Sequence, residues 1–247
     1  MRFFKNIYFG LILFSGCAYL NPAVENLNFV SVQEETQIGA QMAATVSKEM
    51  KLIEGPSTEK VRAIGNRLLQ QLPSKEFAYH FYVVDDKTPN AFTIPGGSIY
   101  VHTGLLNFVD DESQLAGVMA HEMGHAAARH PARSISRQYG LEYLSGLIFP
   151  QNQQKAKALA LNLARTGFLM HYSRADELQA DEIGFDLAKR AGFQRDGLVR
   201  FLKKIQTLEK SGSSLSFFSS HPPTPERVAR LEAMQKGGTS AAALGAR

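Results

Sequence analysis

Little in this 247-residue chain supports a covalent scaffold, because it contains a single cysteine, Cys17. That excludes an intramolecular disulfide and any metal site built on several thiolates. Charge of one sign is also scarce. Lys+Arg minus Asp+Glu is 27 − 23 = +4. With no basic run, the composition carries no nucleic-acid footprint. Long apolar runs are missing too. Ile7 to Phe14, IYFGLILF, is too short to span a bilayer. Residues 141–170 are apolar in places, but Gln151, Asn152, Gln153, Gln154, Lys155 and Lys157 interrupt them, which argues against a span. No internal repeat is visible. At 44% hydrophobic and 20% charged the balance is ordinary for a globular protein, and the length suits one sizeable domain or two small ones.

What is present begins with a leader. Arg2 and Lys5, the short apolar run, and then Ser15 and Gly16 ahead of Cys17 form a secretory signal. It resembles a bacterial lipoprotein signal, with Phe14 where the usual pattern has Leu. The resemblance implies removal of residues 1–16 and a lipid on Cys17. Ala18, rather than Asp, follows the cysteine, which implies the outer membrane. Residues 17–30 read as a linker from that anchor.

Periodicity orders the rest. Ser31 and Glu34 form a capping box for a helix over 31–53, with Ile38, Met42, Val46 and Met50 on one face. A second helix over 58–72 places Val61, Ile64, Leu68 and Leu72 together and stops at Pro73. FAYHFYVV, from Phe77 to Val84, reads as a strand. Asn90 to Gly104 reads as two short strands around a Pro95-Gly96-Gly97 turn. Asp111 with Gln114 starts a helix that ends at Pro131. Further helices are expected over 134–147, 153–170, 174–190 and 196–210, and a last one from Pro225 with Thr224 as its cap. Residues 237–247 read as a disordered small-residue tail. The expected fold is α+β, one mostly helical domain over 31–236 with a small twisted sheet.

The chemistry centres on HEMGH. His121 and His125 are four apart on a helix, so both rings lie on one face. Imidazoles so spaced can reach one metal ion. Glu122, turned about 100° from His121, can stand beside the ion without ligating it, where a base takes a proton from the attacking water. His130 is close in sequence, but on a continuing helix it is rotated about 140° from His125, so it does not read as a ligand. Glu177 and Asp181 are four apart on a later helix. Alone they read as solvated acids in a charged stretch. Beside HEMGH, Glu177 reads as the third ligand. Asp181 then accepts a hydrogen bond from the free ring nitrogen of His121. His221, in SSHPPTPER, follows a Gly212-Ser213-Ser214 loop and precedes two prolines. It reads as an oxyanion donor, a fourth metal ligand, or a capping-region residue with neither role.

HEMGH followed some fifty residues later by Glu177-x-x-x-Asp181 resembles the gluzincins, the glutamate-type zinc peptidases. Within them it resembles the HtpX-like family, which takes in the CAAX prenyl proteases and the LoiP- and BepA-like envelope proteases. QIGAQMA, NAFTIPGGSIYVHTGLL, LAGVMAHEMGHAAARH, SRADELQADEIG and SHPPTPERVARL carry the likeness. It implies a zinc endopeptidase with one Zn2+ per chain, His121, His125 and Glu177 as ligands and Glu122 as general base. It also implies that Asn90, Ala91 and Phe92 form a substrate-facing strand edge. Unfolded or misassembled envelope proteins are the implied substrates. Two rivals stay open. One is a lipid-anchored chaperone or assembly factor with a structural zinc. The other is a zinc hydrolase of a non-protein amide.

Overall fold

The computed structural model describes residues 28–144, 172–210 and 220–237. The leader, Cys17, the expected 153–170 helix, the 212–214 loop and the tail beyond 237 lie outside them. The described residues form eight helices and four strands. In chain order these are α1 (Val32–Glu49), β1 (Leu52–Ile53), α2 (Pro56–Leu69), β2 (His80–Val84), β3 (Ala91–Thr93) and β4 (Ser98–His102). There follow α3 (Thr103–Phe108), α4 (Glu112–Ala127), α5 (His130–Leu144), α6 (Arg174–Arg190), α7 (Gly197–Lys210) and α8 (Pro225–Gln235). The architecture is α+β and mostly helical. No described helix is long and apolar enough to cross a membrane.

The helix starts follow local chemistry. Ser31 and Glu34 form the expected capping box, Asp111 accepts from the Gln114 amide, and Thr224 caps α8 with Pro225 in its first turn. Several ends differ from expectation, α2 stopping at Leu69 rather than Leu72 and β2 beginning at His80 rather than Phe77. Instead of running to Ile53, α1 stops at Glu49, because the apolar pair Leu52–Ile53 reaches an edge of the sheet and pairs with Val83 and Val84. Nor does α4 run to Pro131. It ends at Ala127, and Arg129 adopts a left-handed backbone with φ 56. Pro131 belongs to the first turn of the next helix, where its missing N–H costs nothing.

The sheet order is β1-β2-β4-β3. β2 and β4 are parallel, with His80 opposite Ser98 and Val84 opposite His102. The β3–β4 hairpin is antiparallel, and its turn uses left-handed Gly96 and Gly97. Alternation along the strands divides two cores. Phe81, Val83, Ala91, Ile99 and Val101 join α2, α4, α6, α7 and α8. Val84, Phe92, Ile94 and Tyr100 face Ile38, Met42 and Val46 of α1 with Ala132 and Ile135 of α5. Within the second core, Phe92 and Tyr100 stack at 4.9 Å. Residues 28–30, read as the end of a linker, dock here: the Phe29 amide donates to Ser136 Oγ at 2.9 Å and Val30 is buried.

Candidate metal centre

Helix α4 is buried along almost its whole length, including His121, Glu122 and His125. It crosses α6 at unusually close range. A Cβ on Gly124 would sit 2.7 Å from the Ala180 carbonyl oxygen, and one on Gly184 would sit 2.8 Å from the His121 nitrogen. Real Cβ atoms do not approach backbone so closely, so both positions need glycine. The crossing brings Glu177 and Asp181 of α6 against the histidines of α4, and α8 with its leading segment closes the other side.

Four ligand atoms converge. One atom from each of His121, His125, Glu177 and His221 lies within 4.8 Å of all the others, and all four residues are buried. His121 Nε2 is 3.0 Å from His125 Nε2 and 3.3 Å from His221 Nδ1. Glu177 Oε1 is 2.9 Å from His221 Nδ1 and 3.3 Å from His125 Nε2. Donors placed tetrahedrally about 2.0–2.1 Å from one ion stand about 3.3 Å apart, so the spacing matches a shared cation.

The surrounding charge fits the same conclusion. Three carboxylates, Glu122, Glu177 and Asp181, are buried around one buried guanidinium, that of Arg227. Arg227 chelates Asp181, with Nε and Nη2 each at 2.7 Å, and places Nη1 2.7 Å from Glu177 Oε2. It also donates to the Pro222 carbonyl, which ties the His221 segment to the same hub. Asp181 Oδ1 is 2.9 Å from His121 Nδ1, a short but poorly aligned contact. Uncompensated negative charge in a dry site is costly, and a divalent cation among the four donors removes it.

The groups of the site shift one another's titration. Burial opposes charge on His121, but Asp181 and Glu177 outweigh it and raise its pKa to about 9. His125 is pushed well below the usual range by burial, which the charge of Glu177 only partly offsets. Burial works against the Glu177 carboxylate, yet the facing imidazoles of His221 and His125 hold it far below the usual range. Glu122 goes the other way: burial raises it. Neither of its oxygens has a hydrogen-bond partner among the described residues, and Oε1 lies 3.5 Å from His221 Nε2.

His130 is not where a continuing helix would put it. The turn at Arg129 swings it back, so its Nδ1 is 2.9 Å from His125 Nδ1 and its Nε2 is 3.0 Å from Gln179 Oε1. Tyr172 stacks on the His125 ring at 3.9 Å. Sequence reasoning passed over Arg227, Tyr172 and Gln179. Arg227 left one trace: it stands four residues before Leu231, on the apolar face of α8, where a cation demands a buried partner. Asn90, Ala91 and Phe92 lie at the start of β3, an edge of the sheet that packs against α4. Asn90 O accepts from the His102 amide and the Ile94 amide donates to Ser98 O. By alternation, the main-chain groups of Ala91 and Thr93 face away from β4, on a strand whose residues are all buried.

Convergent imidazoles and a carboxylate, beside a buried glutamate with no hydrogen-bond partner among the described residues, are a donor set that could hold a metal ion. Comparison with known proteins supplies the family. Residues 56–235 match the model for peptidase family M48, and the chain belongs to that family. It is 31% identical over 187 residues to a beta-barrel assembly-enhancing protease of Yersinia pestis, covering 71% of this chain and 38% of that protein. It is 30% identical over 178 residues to the mitochondrial metalloendopeptidase OMA1 of Schizosaccharomyces pombe, covering 72% and 52%. It is 28% identical over 200 residues to the metalloprotease YcaL of Escherichia coli, covering 80% and 74%. The chain thus spans only about two fifths of the beta-barrel assembly-enhancing protease it matches.

Proposed function

We propose that this protein is a zinc-dependent endopeptidase that cleaves unfolded or misassembled proteins of the bacterial cell envelope. The observation that carries the reading is Glu122, wholly buried and without a hydrogen-bond partner among the described residues, beside four converging donors. A purely structural site has no use for such a carboxylate. His121, His125 and Glu177 would hold the zinc. When bound, it supplies Lewis acidity toward a peptide carbonyl and lowers the pKa of water.

The chain's own groups do the rest. Glu122, raised by burial, takes a proton from the attacking water and passes it to the leaving amine. Asp181 holds the His121 ring and Arg227 holds Asp181. The edge of β3 in the Asn90-Ala91-Phe92 segment pairs with an extended substrate through the main-chain groups of Ala91 and Thr93, which face away from β4. Names such as beta-barrel assembly-enhancing protease among the relatives support an envelope setting. A lipid on Cys17, facing the periplasm from the outer membrane, would hold the enzyme there.

His221 favours a closed resting state. Its Nδ1 stands within ligand range of the other three donors, so it would serve as a fourth ligand and would have to move aside before water could enter. His221→Ala should then raise basal cleavage, whereas an oxyanion donor would lose turnover on the same change. The decisive experiment compares wild type with Glu122→Gln on unfolded casein and on cell-wall fragments. Glu122→Gln should retain zinc and lose cleavage of the protein. Equal cleavage by both would end the proposed mechanism, and cleavage confined to cell-wall fragments would end the proposed substrate.

A further inference from the structure

His130 is completely buried, and two independent features place its ring against His125. Arg129 takes the left-handed conformation that a non-glycine residue rarely adopts. Its side chain is held there by Glu35 Oε2 at 2.8 Å and the Val30 carbonyl at 2.6 Å. Backbone in a disfavoured region persists only where its surroundings enforce it. On the far side of the ring, Gln179 Oε1 lies 3.0 Å from His130 Nε2, with Asp176 Oδ1 at 3.6 Å.

We propose that His130, backed by Gln179, is a positioning residue that accepts the Nδ1 proton of His125 and thereby keeps the His125 Nε2 lone pair turned into the ligand cluster. The polarity follows from donors and acceptors. Two ring nitrogens 2.9 Å apart need one proton between them. If His130 donated it, the proton of neutral His125 would sit on Nε2, aimed at His121 Nε2 at 3.0 Å, and no lone pair would remain for an ion. His130 would then also present a bare Nε2 to the Asp176 carboxylate. Gln179 can rotate its amide, but Asp176 cannot turn donor while Arg133 and Arg137 grip it at 2.7 and 2.8 Å. The proton therefore belongs on His130 Nε2. The chain runs from His125 through His130 to Gln179, the pattern by which outer partners fix a ligand's tautomer.

This inference rests on the metal reading, and its test separates the two. The full-length chain is purified in detergent, with zinc as the probe. Uptake of about one zinc per wild-type chain supports the metal reading, and no uptake overturns both. Given uptake, long-range 1H–15N spectra should show His125 protonated at Nδ1 and His130 at Nε2. A proton on His130 Nδ1 overturns the proposal and leaves the metal reading standing. In chelator competition, His130→Ala should bind zinc about 10–100-fold more weakly. His130→Gln, which offers an acceptor, should recover most of that loss, and Gln179→Met should show a smaller one. Wild-type affinity in folded His130→Ala would overturn the proposal. Should His130→Ala fail to fold, wild-type affinity in Gln179→Met would overturn it instead.

Discussion

Arg227 is the residue whose removal should cost most. Its guanidinium neutralises Asp181 and Glu177 at once in a site closed to water. Arg227→Met fills similar volume but strands two buried carboxylates, and should destabilise the fold by about 3–5 kcal/mol, read by urea unfolding. A loss below about 1 kcal/mol, the range of surface pairs, would show that water reaches the hub. Glu35 offers a pH test. Burial raises its carboxyl from 4.5 to about 7, against the pull of Arg129. Between those values the folded state keeps a proton that the unfolded chain gives up. This group therefore lowers stability as pH rises through that window and adds no further slope above it. Wild type minus Glu35→Gln, measured by urea unfolding at pH 5 and pH 8, should shift against wild type at the higher pH. A difference independent of pH would mean Glu35 titrates normally. At this scale the sequence showed the residues that share a helix face, such as His121 with His125 or Glu177 with Asp181. It could not show contacts set by tertiary approach. Arg227 meets Asp181 across 46 positions, and no local spacing announces that.

The elements make the site through one crossing. Helices α4 and α6 touch where Gly124 meets Ala180 and Gly184 meets His121. Gly184→Val should force them apart, with an overpacking cost of about 1–3 kcal/mol, a fall in Tm of about 2–12 °C, and lost zinc uptake. Unchanged melting and uptake would mean that the crossing relaxes freely. Helix starts were readable because caps act locally: Ser31 with Glu34, Asp111 with Gln114, and Thr224 ahead of Pro225 behave as their side chains dictate. The hairpin was readable because two adjacent glycines mark its turn. The break at Arg129 was not. Proline both stops and starts helices, and Pro131 was read as a stop when it serves a start. What separates the two helices is a left-handed arginine held by Glu35, ninety-four positions away. That misreading carried His130 to the wrong side.

Over the whole molecule, a bound cation would join α4, α6 and the segment leading into α8. Zinc at about 100 times its Kd should add about 2.7 kcal/mol to the folded state. For a chain of this size that raises Tm by about 5–10 °C, and a tighter chelator should reverse it. No shift in either direction would argue against a cation site that depends on the fold. The order of the donors along the chain has a further consequence, in time. His121 and His221 stand 100 positions apart, with Glu177 44 positions before His221. A chain made from its N-terminus acquires the HEMGH pair first, the glutamate later, and His221 and Arg227 after it. Until Glu177 is made it holds two histidines and no complete donor set, so on the proposed reading it has nothing with which to hydrolyse its neighbours or itself. The last of the four donors to be made is His221, so on the proposed reading, in which it closes the site, the hydrolase would be complete and shut at the same moment.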